Sequence, residues 1–303
     1  MTQADMQLIT GKSVVLGEGM GIVRTVPTVQ RRQIGAWCFL DHFGPVDVGT
    51  PDSGRQGMRV GPHPHIGLQT VTWLLSGEIL HRDSLGSLQV IRPGQLNLMT
   101  SGRGISHSEE SPAQRSPVLH GAQMWIALPE HARHCAPAFA HHAALPVVEH
   151  QGLRVTVMLG EALGERSPGI IYSPLVGLEL HGADAAEASL PLDARFEYGL
   201  EVLEGELSVA GETLRPGQLL YLGAGRTSLS LQAGAGFRAL LLGGEPMGED
   251  LLVWWNFVGR TREELTQACR EWNDRDGYFA REYGQVLGYD GTPLTAPMPP
   301  WAG

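Results

Sequence analysis

Gly57-Met58-Arg59-Val60-Gly61-Pro62-His63-Pro64-His65 and Gly102-Arg103-Gly104-Ile105-Ser106-His107-Ser108-Glu109 are the two stretches on which the reading of this chain turns. His63 and His65 stand at i and i+2. In an extended strand that spacing puts both imidazoles on one face. His107 and Glu109 repeat it in the second stretch. Two such pairs on neighbouring strands can converge on one point inside a barrel. Three neutral nitrogens and one anionic oxygen suit a borderline divalent transition metal better than calcium or magnesium. A purely structural role is the weaker reading, because buried imidazoles and carboxylates are costly unless paired or ligated.

Outward from these stretches, strand signals dominate. Val14–Leu16, Ile22–Val26, Thr70–Leu75, Leu88–Ile91, Leu96–Met99 and Gly121–Leu128 read as strands, separated by Gly, Pro and Ser breaks. Trp37–Leu40 is a compact apolar run, and the Gly/Pro/Asp/Ser-rich residues 44–59 predict a loop at the rim of a pocket. Residues 129–150 have no clean period and predict a link between domains, with His131, His134, His141 and His142 on its surface. Strands resume at Leu153–Leu159 and continue to Phe237–Leu242. Thr261 with Glu264 is a capping-box pattern, and Leu265, Cys269 and Trp272 follow at helical spacing. A helix over about 262–274 is expected, then an irregular tail over 286–303. Met99, Trp73 and Trp125 read as core, with Trp125 and Gln123 also placed to line a mouth. His42 and His81 read as ordinary turn or pocket residues.

The chain repeats itself. Arg92-Pro93-Gly94-Gln95-Leu96 recurs as Arg215-Pro216-Gly217-Gln218-Leu219, and each copy follows a Gly-Glu turn, at Gly77-Glu78 and Gly205-Glu206. Two copies in the same order suggest two barrels of related architecture. The expected partition is 1–132, 145–250 and a C-terminal extension over 251–303. Measured from these landmarks, the second-half counterparts of His63 and His65 are Pro191 and Asp193, and those of His107 and Glu109 are Ser230 and Gln232. No histidine follows His181, so a three-histidine site belongs to the first half alone.

Composition bounds the partners. The chain has 303 residues, 42% hydrophobic and 18% charged, which is a globular composition. A net charge of −10 argues against direct nucleic-acid binding, which needs a basic surface. Cys38, Cys135 and Cys269 are far apart and odd in number, and read as reduced thiols without an adjacent base. No apolar run approaches the length of a membrane span, and residues 1–19 lack a secretory pattern. A cytoplasmic protein, with no membrane partner, is the expectation.

Gly57 with His63 and His65, and Gly104 with His107, match the two halves of the cupin motif, except that Gln69 stands where a metallo-cupin has a glutamate. His63-Pro64-His65 followed by Gly67 and Thr70, then Gly102–Ile105, His107-Ser108-Glu109, His120-Gly121 and Trp125, resemble the pirin family of bicupins. The resemblance runs from about Val23 to Phe257 and is densest over 37–126. It implies an all-β fold of two tandem cupin (double-stranded β-helix) barrels with a short C-terminal helix. It implies one metal, usually iron, held by His63, His65, His107 and Glu109, and a metal-free second barrel. Mn, Co, Ni, Cu and Zn stay open, since geometry and supply select among them as much as ligand type. The activity implied is oxidative ring cleavage of a flavonol such as quercetin, with O2 as co-substrate, release of carbon monoxide and Glu109 as base. The alternative implied is an iron-dependent redox sensor that binds a transcription factor or a metabolic enzyme. Gln69 is expected to alter the charge of the pocket.

Overall fold

The computed structural model describes residues 6–16, 19–274 and 283–302, and for Leu16 the backbone alone. It is built almost wholly of strands, with one α-helix among the described residues, Arg262–Asn273. The chain divides into two compact units whose segments alternate along the sequence. One comprises Met1–Val14, Ile22–His42 and His142–Met247; the other comprises Val15–Gly21, Phe43–His141 and Gly248–Gly303. The contiguous segments expected from the repeat describe neither unit fully, because each takes a terminal piece from the far end of the sequence.

The unit centred on Phe43–His141 is the first barrel. One of its sheets is ordered Arg59–His65, Ile105–Glu110, Ile79–Asp83, Leu88–Ile91. In the other, Leu68–Ser76 pairs antiparallel with both Leu96–Thr100 and Val118–Ala127, and Ala138–His142 lies beyond Leu96–Thr100. The apolar run at Trp37 does not stop where the sequence suggested. It continues as one strand, Trp37–Asp47, so the rim loop is shorter than 44–59 and holds a short 3-10 turn at Pro51–Ser53. Nor are residues 129–150 an irregular link. They contain the strands Ala138–His142 and Val147–His150, in which Ala138 and Val147 are exposed while the histidines are half-buried, so apolar and polar residues do not sort by face and no period shows.

The C-terminal extension packs within this unit. Leu265, Ala268, Cys269 and Trp272 turn one helix face onto Phe257, Tyr283 and Ala296. Thr261 caps the helix, its hydroxyl accepting from the Glu264 N–H at 3.1 Å. The Glu264 carboxylate reaches back to the Arg260 N–H at 2.8 Å, one residue beyond the position a capping box uses. The described residues 286–302 hold no helix or strand, as expected.

The second barrel repeats the plan. A four-stranded sheet runs Ala186–Pro191, Ser228–Ala233, Leu207–Val209, Glu212–Leu214. A seven-stranded sheet places Gln218–Leu222, Glu197–Glu204 and Phe237–Gly244 side by side, and its outer edge strand is Met6–Thr10 from the start of the chain. The core is aliphatic, built from Val155, Val157, Leu178, Leu180, Leu200, Val202 and their neighbours. The repeated Arg-Pro-Gly-Gln-Leu is the same turn twice. Gln95 N–H donates to Arg92 O at 3.2 Å and Gln218 N–H to Arg215 O at 3.1 Å. Each glutamine side chain accepts from the arginine N–H, at 3.0 and 2.9 Å. Gly94 and Gly217 take φ of 75° and 82°, the left-handed third position of a Pro-Gly turn.

Candidate metal centre

Arg59–His65 and Ile105–Glu110 run antiparallel, with His107 opposite His63 and Ile105 opposite His65. The register then slips, for Glu109 faces Val60, so three steps on one strand answer two on the other. The extra residue falls at Gly61-Pro62, where proline has no N–H to give the ladder. This bulge presents the Gly61 carbonyl to the His63 ring, which donates to it from Nδ1 at 2.9 Å. Gly102 serves a close approach of its own. With φ of 50°, it packs against the Cys135 carbonyl, not against the histidines.

His63, His65 and His107 converge. All three are buried, and one ring nitrogen of each lies within 4.8 Å of the other two. Nε2 of His65 and Nε2 of His107 are 3.0 Å apart. His65 Nδ1 donates to the backbone carbonyl of Asn256 at 2.9 Å, so the extension reaches the centre. Burial pushes His63 down to about 4, despite its bond to Gly61, and holds His65 and His107 well below the ordinary imidazole range. At neutral pH the rings are therefore uncharged. With Nδ1 of His63 and His65 committed to carbonyls, their Nε2 lone pairs turn inward. Such a cluster of facing lone pairs repels itself unless a cation sits among them, and the donor set fits a divalent transition metal.

Glu109 is brought to the edge of this cluster. It is absent from the group formed by His63 and His65, and instead shares His107 with His81 in a second, overlapping group of donors. The Thr72 hydroxyl lies 3.3 Å from Glu109 Oε1 and 2.9 Å from Gln123 Oε1. Burial raises the Glu109 carboxyl above its ordinary range, against the pull of His81 and Thr72.

Other residues take places the sequence did not assign. His81, read as an ordinary turn or pocket residue, is buried beside His107, with its Nδ1 3.5 Å from His107 Nδ1 and its Nε2 3.1 Å from Asp83 Oδ2. Burial would raise Asp83, but the bonds from His81 and Ser87 outweigh it and hold the carboxyl below its usual range. Phe139 stacks on His81 at 4.5 Å, and His141 Nδ1 meets Asn97 Oδ1 at 2.7 Å, so the supposed link lines the site. Trp125 stands edge-on to His65 at 5.1 Å. Gln69 does not join them. Thr72 faces the centre, and strand alternation puts Gln69 on the opposite face, where its Nε2 donates to Thr100 at 2.9 Å. It is not placed to alter the charge of the pocket. The signal for His81 was available, since His81 and Asp83 repeat the i, i+2 spacing of the other pairs.

Comparison with known proteins places this arrangement. The family model described as Pirin matches residues 19–126, and the one described as Pirin C-terminal cupin domain matches residues 176–279. A Pseudomonas aeruginosa protein named "putative quercetin 2,3-dioxygenase" is 49% identical over 297 residues, spanning 98% of this chain and 91% of its own. The chain belongs to the pirin family. A pirin-like protein of Caulobacter vibrioides is 38% identical over 82% of this chain and 86% of its own. The crystal structure of a quercetin 2,3-dioxygenase from Acinetobacter baumannii superposes with a TM-score of 0.92 at 44% identity, covering 98% of this pirin and 96% of that chain. The first matched segment holds most strands of the first barrel, the second holds most strands of the second together with the helix that packs in the first unit, and the fold is the bicupin expected. Within this pirin all three converging histidines fall in the first matched segment.

Proposed function

We propose that this pirin is a metal-dependent dioxygenase that cleaves the central ring of a flavonol such as quercetin with O2 and releases carbon monoxide. The observation that carries the reading is the convergence of three neutral, buried imidazoles on one point. His63, His65 and His107 would hold the metal, with iron(II) the leading candidate, and Glu109 would complete the donor set from the adjoining position. A divalent metal held there would supply Lewis acidity, which would lower the pKa of a substrate hydroxyl, and would supply the site for reaction with O2. The protein's own part is proton transfer and positioning. Glu109, raised by burial and 3.3 Å from Thr72, is suited to accept the flavonol hydroxyl proton. Trp125 and Phe139 offer aromatic faces beside the histidines. Asn97 lies opposite Thr72 across the sheet, and its buried Nδ2 has no partner among the described residues, which leaves a donor for a substrate oxygen. The names of the Pseudomonas and Acinetobacter relatives support the choice of flavonol.

The test is quercetin consumption by metal-loaded protein with and without oxygen, with carbon monoxide measured in the headspace. Oxygen-dependent loss of flavonol absorbance with matching carbon monoxide is expected, and His63→Ala abolishes it. Equal rates with and without oxygen and metal would sink the proposal. Stoichiometric metal binding without flavonol turnover would favour the redox-sensing alternative.

A further inference from the structure

His107 differs from the other two histidines in what holds its outer nitrogen. His63 and His65 each give their Nδ1 proton to a backbone carbonyl, of Gly61 and Asn256. A carbonyl can only accept, so it fixes the tautomer that leaves Nε2 free to bind. Nδ1 of His107 faces another imidazole, His81, which can accept or donate. The tautomer of His107 therefore depends on that of His81. His81 is itself constrained, because its Nε2 lies 3.1 Å from Asp83 Oδ2. A carboxylate accepts there, so His81 carries its proton on Nε2 and presents a bare Nδ1 to His107. Asp83 cannot turn away, since its Oδ1 accepts from the Leu85 and Ser87 N–H groups, each at 2.9 Å. The ring plane of His81 is set by Phe139, stacked at an interplanar angle of 14°.

We propose that Asp83 and His81 form a positioning relay whose job is to hold His107 in its metal-binding tautomer. The relay rests on the metal centre proposed above and extends it, for it assigns roles to two residues outside the three-histidine cluster. Its two links lie in the same barrel, on Ile79–Asp83, the strand hydrogen-bonded to Ile105–Glu110, with His107 opposite Asp83 and Glu109 opposite His81. Partners of this kind orient a ligand histidine and raise its basicity, and their loss typically costs about 10- to 100-fold in metal affinity.

The test uses the full chain and Co(II), titrated against a competing chromophoric chelator, with the visible Co(II) spectrum as a second readout. His81→Phe keeps an aromatic ring on Phe139 but removes the acceptor. His81→Asn loses the ring but leaves an oxygen near the place of Nδ1. Asp83→Asn is the third variant. With Oδ1 still committed to two backbone donors, its amide would present N–H to His81 Nε2, forcing the opposite tautomer. The relay predicts that His81→Phe and Asp83→Asn lower Co(II) affinity by about 10- to 100-fold and shift the spectrum, while His81→Asn retains most of the affinity. A packing role predicts the reverse order, with Phe tolerated and Asn not. Unchanged affinity in His81→Phe, or equal loss in Phe and Asn, overturns the relay. If His81→Phe fails to fold, Asp83→Asn decides alone, since wild-type affinity there overturns it too. Failure of the wild-type chain to take up Co(II) breaks the metal centre as well as the relay, whereas normal uptake by every variant breaks the relay only.

Discussion

The two barrels share their strand order, their Arg-Pro-Gly-Gln-Leu turn and their alternating strands, yet their interiors are chemically opposite. In the first, the four-stranded sheet points His63, His65, His81, Asp83, His107 and Glu109 inward. In the second, the matching sheet points Ala188, Leu190, Leu207, Val209, Leu229 and Leu231 inward. Turns and alternation therefore carry the fold, while the inward positions are free to carry either a core or a site. The second barrel fills its interior with apolar side chains, which close-pack and stabilise it directly. The first gives up that burial for groups that are costly unless hydrogen-bonded or ligated, and it hydrogen-bonds them thoroughly.

The comparison makes its largest claim about metal. His107→Ala should abolish stoichiometric metal binding, read by elemental analysis. It should also remove the thermal shift that added metal gives the wild-type chain, about 2.7 kcal/mol at a hundredfold excess over Kd. The reciprocal change in the second barrel, Leu200→Ala, leaves a cavity in the apolar core. It should cost about 2–5 kcal/mol in chemical denaturation, with metal stoichiometry per folded chain unchanged. A fall in that stoichiometry would show that the two interiors are not separable.

A third prediction concerns a strongly shifted carboxyl outside the histidine cluster, Glu201. Glu201 is fully buried on the strand face opposite Leu200 and Val202. Burial pushes it up to about 8, against a hydrogen bond from Thr25 and with Asp41 adding to the rise. The unfolded chain releases this proton near 4.5, so between those values the folded state holds a proton the unfolded state has lost. The stability it contributes is full below 4.5 and is lost as pH rises through 8. Glu201→Gln should flatten the pH dependence of Tm over that range. It should stabilise at alkaline pH by a few kcal/mol, since a tenfold change in proton affinity corresponds to about 1.4 kcal/mol. A pH profile identical to wild type would refute this.

The smallest effects test the shared turn. Gly94→Ala and Gly217→Ala each force a side chain into the left-handed region and should each cost about 1 kcal/mol. An added Cβ at Gly94 meets nothing, whereas at Gly217 it comes within 3.3 Å of Val23, so the second-barrel variant should be the worse by a few tenths. The reverse order would show that the repeated motif is not one turn used twice.

The inward histidine pairs were legible because strand alternation converts i, i+2 spacing into a shared face. The helix was legible from Thr261, Glu264 and the apolar spacing that follows. The lack of histidines in the second half was legible too, but the counterpart positions were misplaced. Counting from the landmarks gave Ser230 and Gln232, which are exposed, while Leu229 and Leu231 point inward. The count is off by one, and in a strand a slip of one residue exchanges the faces. Asn256 left no trace in the sequence, because it acts through a backbone carbonyl that any residue could supply. The edge strands were hidden as well, since Met6–Thr10 and Ala138–His142 pair across sequence distances that no local pattern encodes.

The contact between His65 and Asn256 also sets an order on biosynthesis. The histidines of the first barrel leave the ribosome early, with strands that could fold as they emerge. The carbonyl that fixes His65 is not made until the whole second barrel has been translated. The strand Met6–Thr10 likewise waits for Gln218–Leu222 before its hydrogen bonds can close. The centre is thus among the last parts of the molecule to be finished, and a nascent chain stalled before residue 256 would display its histidines without the partner that orients one of them.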